Sequence, residues 1–223
     1  MIRSSSHPLS GLLGRASRWM LLGLLVAGPA LVPGDARATT LAKLSTEQLT
    51  DAAETIVRGE VVDTWTEVDA NGLVWTRAMV DVEETLKGPE QESLVISQAG
   101  GEHGGTRTVV VGVGRFSVGE DAVFFVSPRG EGRLQLVGMY QGKFTVRQDP
   151  YSRQLIVQRG TLDIQRAYDH RFLPLPPADQ RLPLDTLLEQ VRERVELGWD
   201  GQPIPGVSSD RLARINHLPE GVK

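Results

Sequence analysis

The stretch Leu73 to Leu86, LVWTRAMVDVEETL, limits the fold more than any other part of the chain. Val74, Thr76, Ala78, Val80 and Val82 fall on one side of a two-residue period, and Trp75, Arg77, Met79, Asp81 and Glu83 fall on the other. Successive strand side chains point to opposite faces, so this pattern predicts a strand buried on one side. The segments around it have the same texture. TIVRGEVVDTW is rich in β-branched residues, and its pattern predicts Val57, Gly59, Val61 and Trp65 on one face. Asp69-Ala70-Asn71-Gly72 is the turn between the two segments. Lys87-Gly88-Pro89 ends the second, because proline cannot donate to a ladder.

Further strands are expected at SLVISQ, TRTVVVGV, DAVFFVSP, LQLVGMY, GKFTVR and RQLIVQR. Gly112 and Gly114 would bend the second of these, and Asp149-Pro150-Tyr151-Ser152 is a turn. Short strands about ten residues apart with turn signals between them indicate a barrel or sandwich. A helix over 46–54 precedes them, with Ser45 and Gln48 forming a capping box and Leu44, Leu49 and Ala52 or Ala53 as its buried edge. A second helix is expected from an Asp185 cap to about Leu197. Leu187, Leu188, Val191 and Val195 share one face of it, and Gly198 ends it. Residues 161–182 form a proline-rich connector. The sparse apolar content of residues 199–223 predicts a mobile tail.

The first 38 residues have the form of an export signal. Arg3, Arg15 and Arg18 precede the apolar run Trp19 to Val32, and Ala36-Arg37-Ala38 supplies the small residues that signal peptidase recognises at Ala36 and Ala38. The run has 14 residues, against roughly 20 for a membrane-spanning helix. Cleavage after Ala38 removes four arginines and one aspartate, so the formal charge falls from −4 to −7. The expected product is periplasmic or extracellular, with no membrane attachment after cleavage. Its basic residues are scattered along the sequence, which argues against nucleic acid as a partner. The chain contains no cysteine, so disulfides, thiolate ligands and a cysteine nucleophile are all excluded.

The order of signals resembles a known family. Asp51-Ala52-Ala53 leads into IVRGEVV, a long segment ends in VEETLKG, and FSVGEDAVFFV closes the series. This is similar to the netrin-like domain, the OB-type barrel of tissue inhibitors of metalloproteinases. It looks closer still to uncharacterised exported bacterial proteins with the same RGEV, LKG and GE.AVFF landmarks. The resemblance spans Leu44 to Arg159. It implies a mainly β fold: a small OB-like (netrin-like) β-barrel over residues 39–160, with a short N-terminal helix and a C-terminal helix at 183–198. In those inhibitors an N-terminal cysteine chelates the target's zinc. Here the expected mature terminus is Thr39-Thr40-Leu41, so that chemistry does not carry over.

Candidate sites are few. SQAGGEHGGTRTVVVG sets four glycines around Glu102-His103. A phosphate cradle would need a helix after the glycines, and the valines predict a strand. Glu83-Glu84 and Glu90/Glu92 are the dense acidic pairs, and they read as solvated charges at strand ends. Ser97, His103 and Asp121 make a Ser/His/Asp set only on paper, without a G-x-S-x-G elbow. No histidine has the close partner that a zinc site requires. The sequence therefore favours an exported, non-catalytic module that takes no cofactor or metal and binds a protein partner, with a peptidase as one candidate. Its expected contacts are Gly101, Glu102, His103 and Gly104 of the glycine loop, together with Trp65 and Trp75. The alternative is a small secreted hydrolase or metal-assisted enzyme built on the 99–105 loop.

Overall fold

A computed structural model of the protein describes residues 42–159 and 181–216. All lie in one compact unit, Thr40–Lys223. The expected cleavage residues Ala36 and Ala38, the expected terminus at Thr39, most of the 161–182 connector and the end of the tail lie outside the described residues.

The first helix, α1 (Thr46–Ala52), starts as its sequence predicts. The Gln48 amide donates to Ser45 Oγ at 3.2 Å, and the Ser45 amide donates to Gln48 Oε1 at 2.9 Å. It stops two residues before the expected Glu54, because Ala53 is already extended and leads into β1 (Thr55–Val68). β1 forms a long antiparallel hairpin with β2 (Val74–Lys87), and β2 pairs with β3 (Ser93–Ala99). At the hairpin tip, Asp69 Oδ1 accepts the amides of Asn71 and Leu73 at 2.9 and 3.0 Å.

Two three-residue strands, β4 (Gly101–His103) and β5 (Thr106–Thr108), pair only with each other among the described residues. The main sheet then continues with β6 (Asp121–Arg129), β7 (Arg133–Leu136), β8 (Lys143–Gln148), β9 (Leu155–Arg159) and β10 (Arg181–Pro183), and a 3-10 turn at Met139–Gly142 joins β7 to β8. The order is β10-β9-β8-β6-β1-β2-β3, with β7 also paired to β6. The protein is thus mainly β, built on one large antiparallel sheet. β3 and β7 lie side by side, with no ladder between them among the described residues.

The run AVFFV in β6 is apolar at every position because both of its faces are buried. Ala122, Phe124 and Val126 enter a core on one face of the sheet, with Val57, Val61, Ala78, Val80, Leu94 and Ile96. Val123 and Phe125 enter a second core on the opposite face, beneath α1, α2 (Leu184–Leu197) and α3 (Ser209–Ile215).

The face assignment of β2 agrees with its alternation, but that of β1 changes partway along. Val61 pairs with Val80, whereas Asp63 pairs with Met79 and Trp65 with Arg77. A register shift between Val61 and Asp63 inserts one extra residue, and such a bulge reverses the faces beyond it. Trp65 therefore lies on the side opposite Val57 and Val61, correcting the sequence expectation. Gly59 occupies another irregularity, where a Cβ would collide with the Asp81 carbonyl.

Three further expectations are corrected. Asp185 does not cap α2: β10 runs straight into the helix, Pro183 holds the cap position, and Asp185 sits in the first turn. An acid there still favours the N-terminal end of the helix dipole. The valine run after Thr108 is not a strand, because no neighbouring strand pairs with it among the described residues. The tail is docked through residue 216, because Ile204 and Leu212 are buried in the second core and Trp199 and Val207 pack against it. Among the described residues no helix is long and apolar enough to cross a membrane.

Candidate binding surface

The glycine-rich stretch is a tight hairpin. Gly104 and Gly105 form its turn with φ of 56° and 79°, and two consecutive positive φ values are what a two-residue hairpin loop requires. Polar bonds fix the hairpin to the end of β1–β2. The Gly100 amide donates to the Val74 carbonyl at 2.8 Å, Thr76 Oγ1 donates to the Gly100 carbonyl at 2.7 Å, and Thr66 Oγ1 donates to the Glu102 carbonyl at 2.8 Å. Gly101 lies so close to Thr66, Val74 and Thr76 that a Cβ would overlap the Thr76 hydroxyl. His103 Nδ1 is 3.1 Å from the Thr66 carbonyl oxygen. A carbonyl only accepts, so a hydrogen bond here requires the proton on Nδ1. Glu102 sits across the hairpin from Arg107, and both His103 and Glu102 are exposed.

The tryptophans lie on the other side of the same two strands. Thr66, Val74 and Thr76 face the hairpin, and Trp65 and Trp75 occupy the alternate positions. Trp75 is only 9% exposed; its Nε1 donates to Asp69 Oδ2 at 2.9 Å, and the Arg133 guanidinium stacks 4.8 Å from its ring centre. The Trp75 and Leu73 N–H groups hold the Asp69 carboxyl below its ordinary range. Trp75 thus braces the hairpin tip, and Trp65 is half-buried opposite Arg77. The sheet separates the two groups of predicted contact residues. Gly101, Glu102, His103 and Gly104 are together on one face, and Trp65 and Trp75 are together on the other.

The Ser/His/Asp set is not assembled. Ser97 Oγ accepts from Arg77, His103 contacts Thr66, and Asp121 forms a two-point bond with Arg58 at 2.8 and 3.3 Å. Among the described residues, no group of three or more His, Cys, Asp or Glu side chains is placed to hold a metal ion.

Sequence reasoning missed the loop between β5 and β6. Val109 and Val111 are 72% and 68% exposed, and Val118 is 61% exposed. Val110 turns inward beside Gly100. The loop is held along its length. The Gln98 side-chain amide donates to the Gly114 carbonyl, the Tyr140 amide donates to Gly112 at 3.1 Å, and Gly119 and Glu120 exchange backbone bonds with Val61 at 2.8 and 2.9 Å. Its base is a buried ion pair. Lys143, 5% exposed, donates to both Glu120 oxygens at 2.7 and 2.8 Å and also to the Arg115 carbonyl, while Phe116 packs 5.5 Å from the ammonium. A buried ammonium is tolerated only when its charge is matched and its protons are bonded, as they are here. The Gly112 and Gly114 spacing was the available signal, since glycines that close together interrupt a strand.

No protein-family model matches the chain, and no curated protein matches it.

Proposed function

We propose that the protein is an exported, non-catalytic binding module that engages a protein partner through the β5–β6 loop and the adjacent glycine hairpin. One observation carries this reading: Val109 and Val111 project into solvent from a loop fixed by hydrogen bonds and by an ion pair at its base. An immobilised apolar projection loses little conformational freedom when a partner covers it, so more of the burial energy remains as affinity. The exposed Glu102 and His103 would add polar contacts at the rim.

An OB-like, netrin-like barrel is the finer description of the fold that fits this use. It is supported by the meander β1-β2-β3, the return of β6 to β1, and the position of β7 beside β3. In that architecture the loops between strands and one end of the barrel form the recognition surface. Export follows from the leader, and a partner in the same compartment, a peptidase among the candidates, follows from the resemblance.

The test uses the double substitution Val109→Ser and Val111→Ser. Covering both valines contributes about 2–3 kcal/mol, equivalent to a roughly 30- to 150-fold loss of affinity on substitution. Quantitative capture from the native exported proteome should show one or more specific partners lost in the variant, with its urea midpoint unchanged. Capture that is equal for both proteins refutes this surface. Replacing Glu102 and His103 with alanine should weaken capture less than the valine changes.

A further inference from the structure

A second feature lies at the other end of β6, where its turn into β7 faces α3. An open cleft of about 590 Å³ is lined there by Arg129, Arg211 and Arg214, with Glu54 and Pro128 at its wall. The basic residues are dispersed in the sequence, yet the fold collects three of them here. Arg211 and Arg214 are three residues apart on α3 and so share a helix face. Arg129 comes from the end of β6.

Ordinary structural roles account for part of the set. Arg211 donates to the Pro128 carbonyl at 3.0 Å and lies 3.5 Å from Glu54, which ties α3 to the sheet. Arg214, in the last turn of α3, complements the negative end of the helix dipole. Arg129 has neither role. Neither Arg129 nor Arg214 has a hydrogen-bond or ion-pair partner among the described residues. Partial burial and the facing Arg211 charge both disfavour the Arg129 cation. Three guanidinium groups set against one carboxylate leave two uncompensated positive charges in the cleft of an acidic chain.

We propose that this cleft binds a doubly charged oxyanion of the phosphate class, presented as a free or small-molecule phosphate. Guanidinium groups offer paired N–H donors that match tetrahedral oxyanions, and a phosphate monoester near neutral pH supplies close to two negative charges. A lone carboxylate would satisfy one fork and leave the other excess charge unmatched. The volume falls within the range of small-ligand sites. This inference is independent of the partner-binding surface.

Inorganic phosphate is the first probe, titrated into the mature protein at low ionic strength and neutral pH and followed by calorimetry and by arginine side-chain NMR. Sulfate and acetate are titrated in parallel. Saturable binding of phosphate and sulfate, with acetate much weaker, is the expected result. Lowering the pH to about 5 turns phosphate into a monoanion and should weaken phosphate while leaving sulfate unchanged. Arg129→Gln and Arg214→Gln should each reduce affinity about tenfold or more, since each removes a charge-assisted donor. Neither side chain bonds to another described residue, so thermal melts of both variants should stay close to the parent. Absence of saturation, equal binding of acetate, or affinity unaffected by both substitutions would overturn the proposal. Phosphorylated small molecules of increasing size then show whether free phosphate or a larger ester is preferred, and binding of either sustains the assignment.

Discussion

Lys87 should make the protein more stable as the pH rises above neutrality, against the usual trend for a surface lysine. It ends β2 beneath the helices, where its Nζ donates to the Thr50 carbonyl at 2.8 Å and contacts Asn216 Oδ1 at 3.4 Å. Burial lowers its pKa from 10.5 to about 8; Asp51 and Glu54 partly offset this, and Arg194 adds to it. Asp51 cannot compensate fully, because Arg194 already engages both its oxygens at 2.9 and 2.7 Å. Below pH 8 the folded and unfolded chains both carry the lysine proton, so the contribution is constant and the folded state holds a poorly solvated ammonium. Between about 8 and 10.5 the unfolded chain keeps the proton that the folded chain has released. Stability rises where the unfolded state binds more protons, by ~3 kcal/mol across this window at about 1.4 kcal/mol per pH unit. Urea unfolding with linear extrapolation, run from neutral pH to above 10.5 on the parent and on Lys87→Met, isolates the effect. The parent should gain on the variant by ~3 kcal/mol as the lysine titrates. A constant difference between the two across the window refutes the argument, because every other titrating group is common to both proteins.

Two more predictions concern the frame. Arg194→Ala leaves Asp51, 4% exposed, as an unpaired charge between α1 and α2. The expected loss is about 3 kcal/mol, the low end for breaking a buried pair, read as a lower urea midpoint at pH 7. Gly59→Ala drives a Cβ into the Asp81 carbonyl and the Val80 side chain. It should cost about 2–3 kcal/mol, because backbone on the facing strand cannot swing aside as a side chain can. A variant as stable as the parent would show that β1 can straighten at this point.

Much of the frame was legible because its signals are local. The Ser45–Gln48 capping box, the alternation of β2 and the apolar face Leu187-Leu188-Val191 of α2 each describe what one segment can bury or bond by itself. The failures concern what a neighbour provides. Val109 to Val113 has the composition of a strand, but a strand needs an edge to pair with, and β4 is already paired through Thr106 to Thr108. Trp65 was assigned to the wrong face because an unbroken period was carried through Val61 to Asp63. A bulge leaves no consistent residue signature, and it reverses every side chain after it. The same reversal puts Trp65 on the side opposite the glycine hairpin, so the two halves of the expected contact surface are separated by the sheet.

The tail exposes a different limit. Residues 199–216 are too poor in apolar side chains to fold alone, and average composition reads that as mobility. A segment that docks on a finished core needs only a few anchors, because the surface it covers is already ordered. Ile204 and Leu212 supply that burial, and Asn216 Nδ2 adds bonds to the Asp51 and Leu212 carbonyls at 3.2 and 2.9 Å. Docking α3 also sets Arg211 against Pro128, 83 positions earlier in the chain, and this brings together the walls of the arginine cleft. In the sequence these arginines are dispersed, and that scatter was the argument against nucleic acid as a partner. Their convergence is a property of the docked tail, so local composition displays neither the docking nor the cleft that it forms.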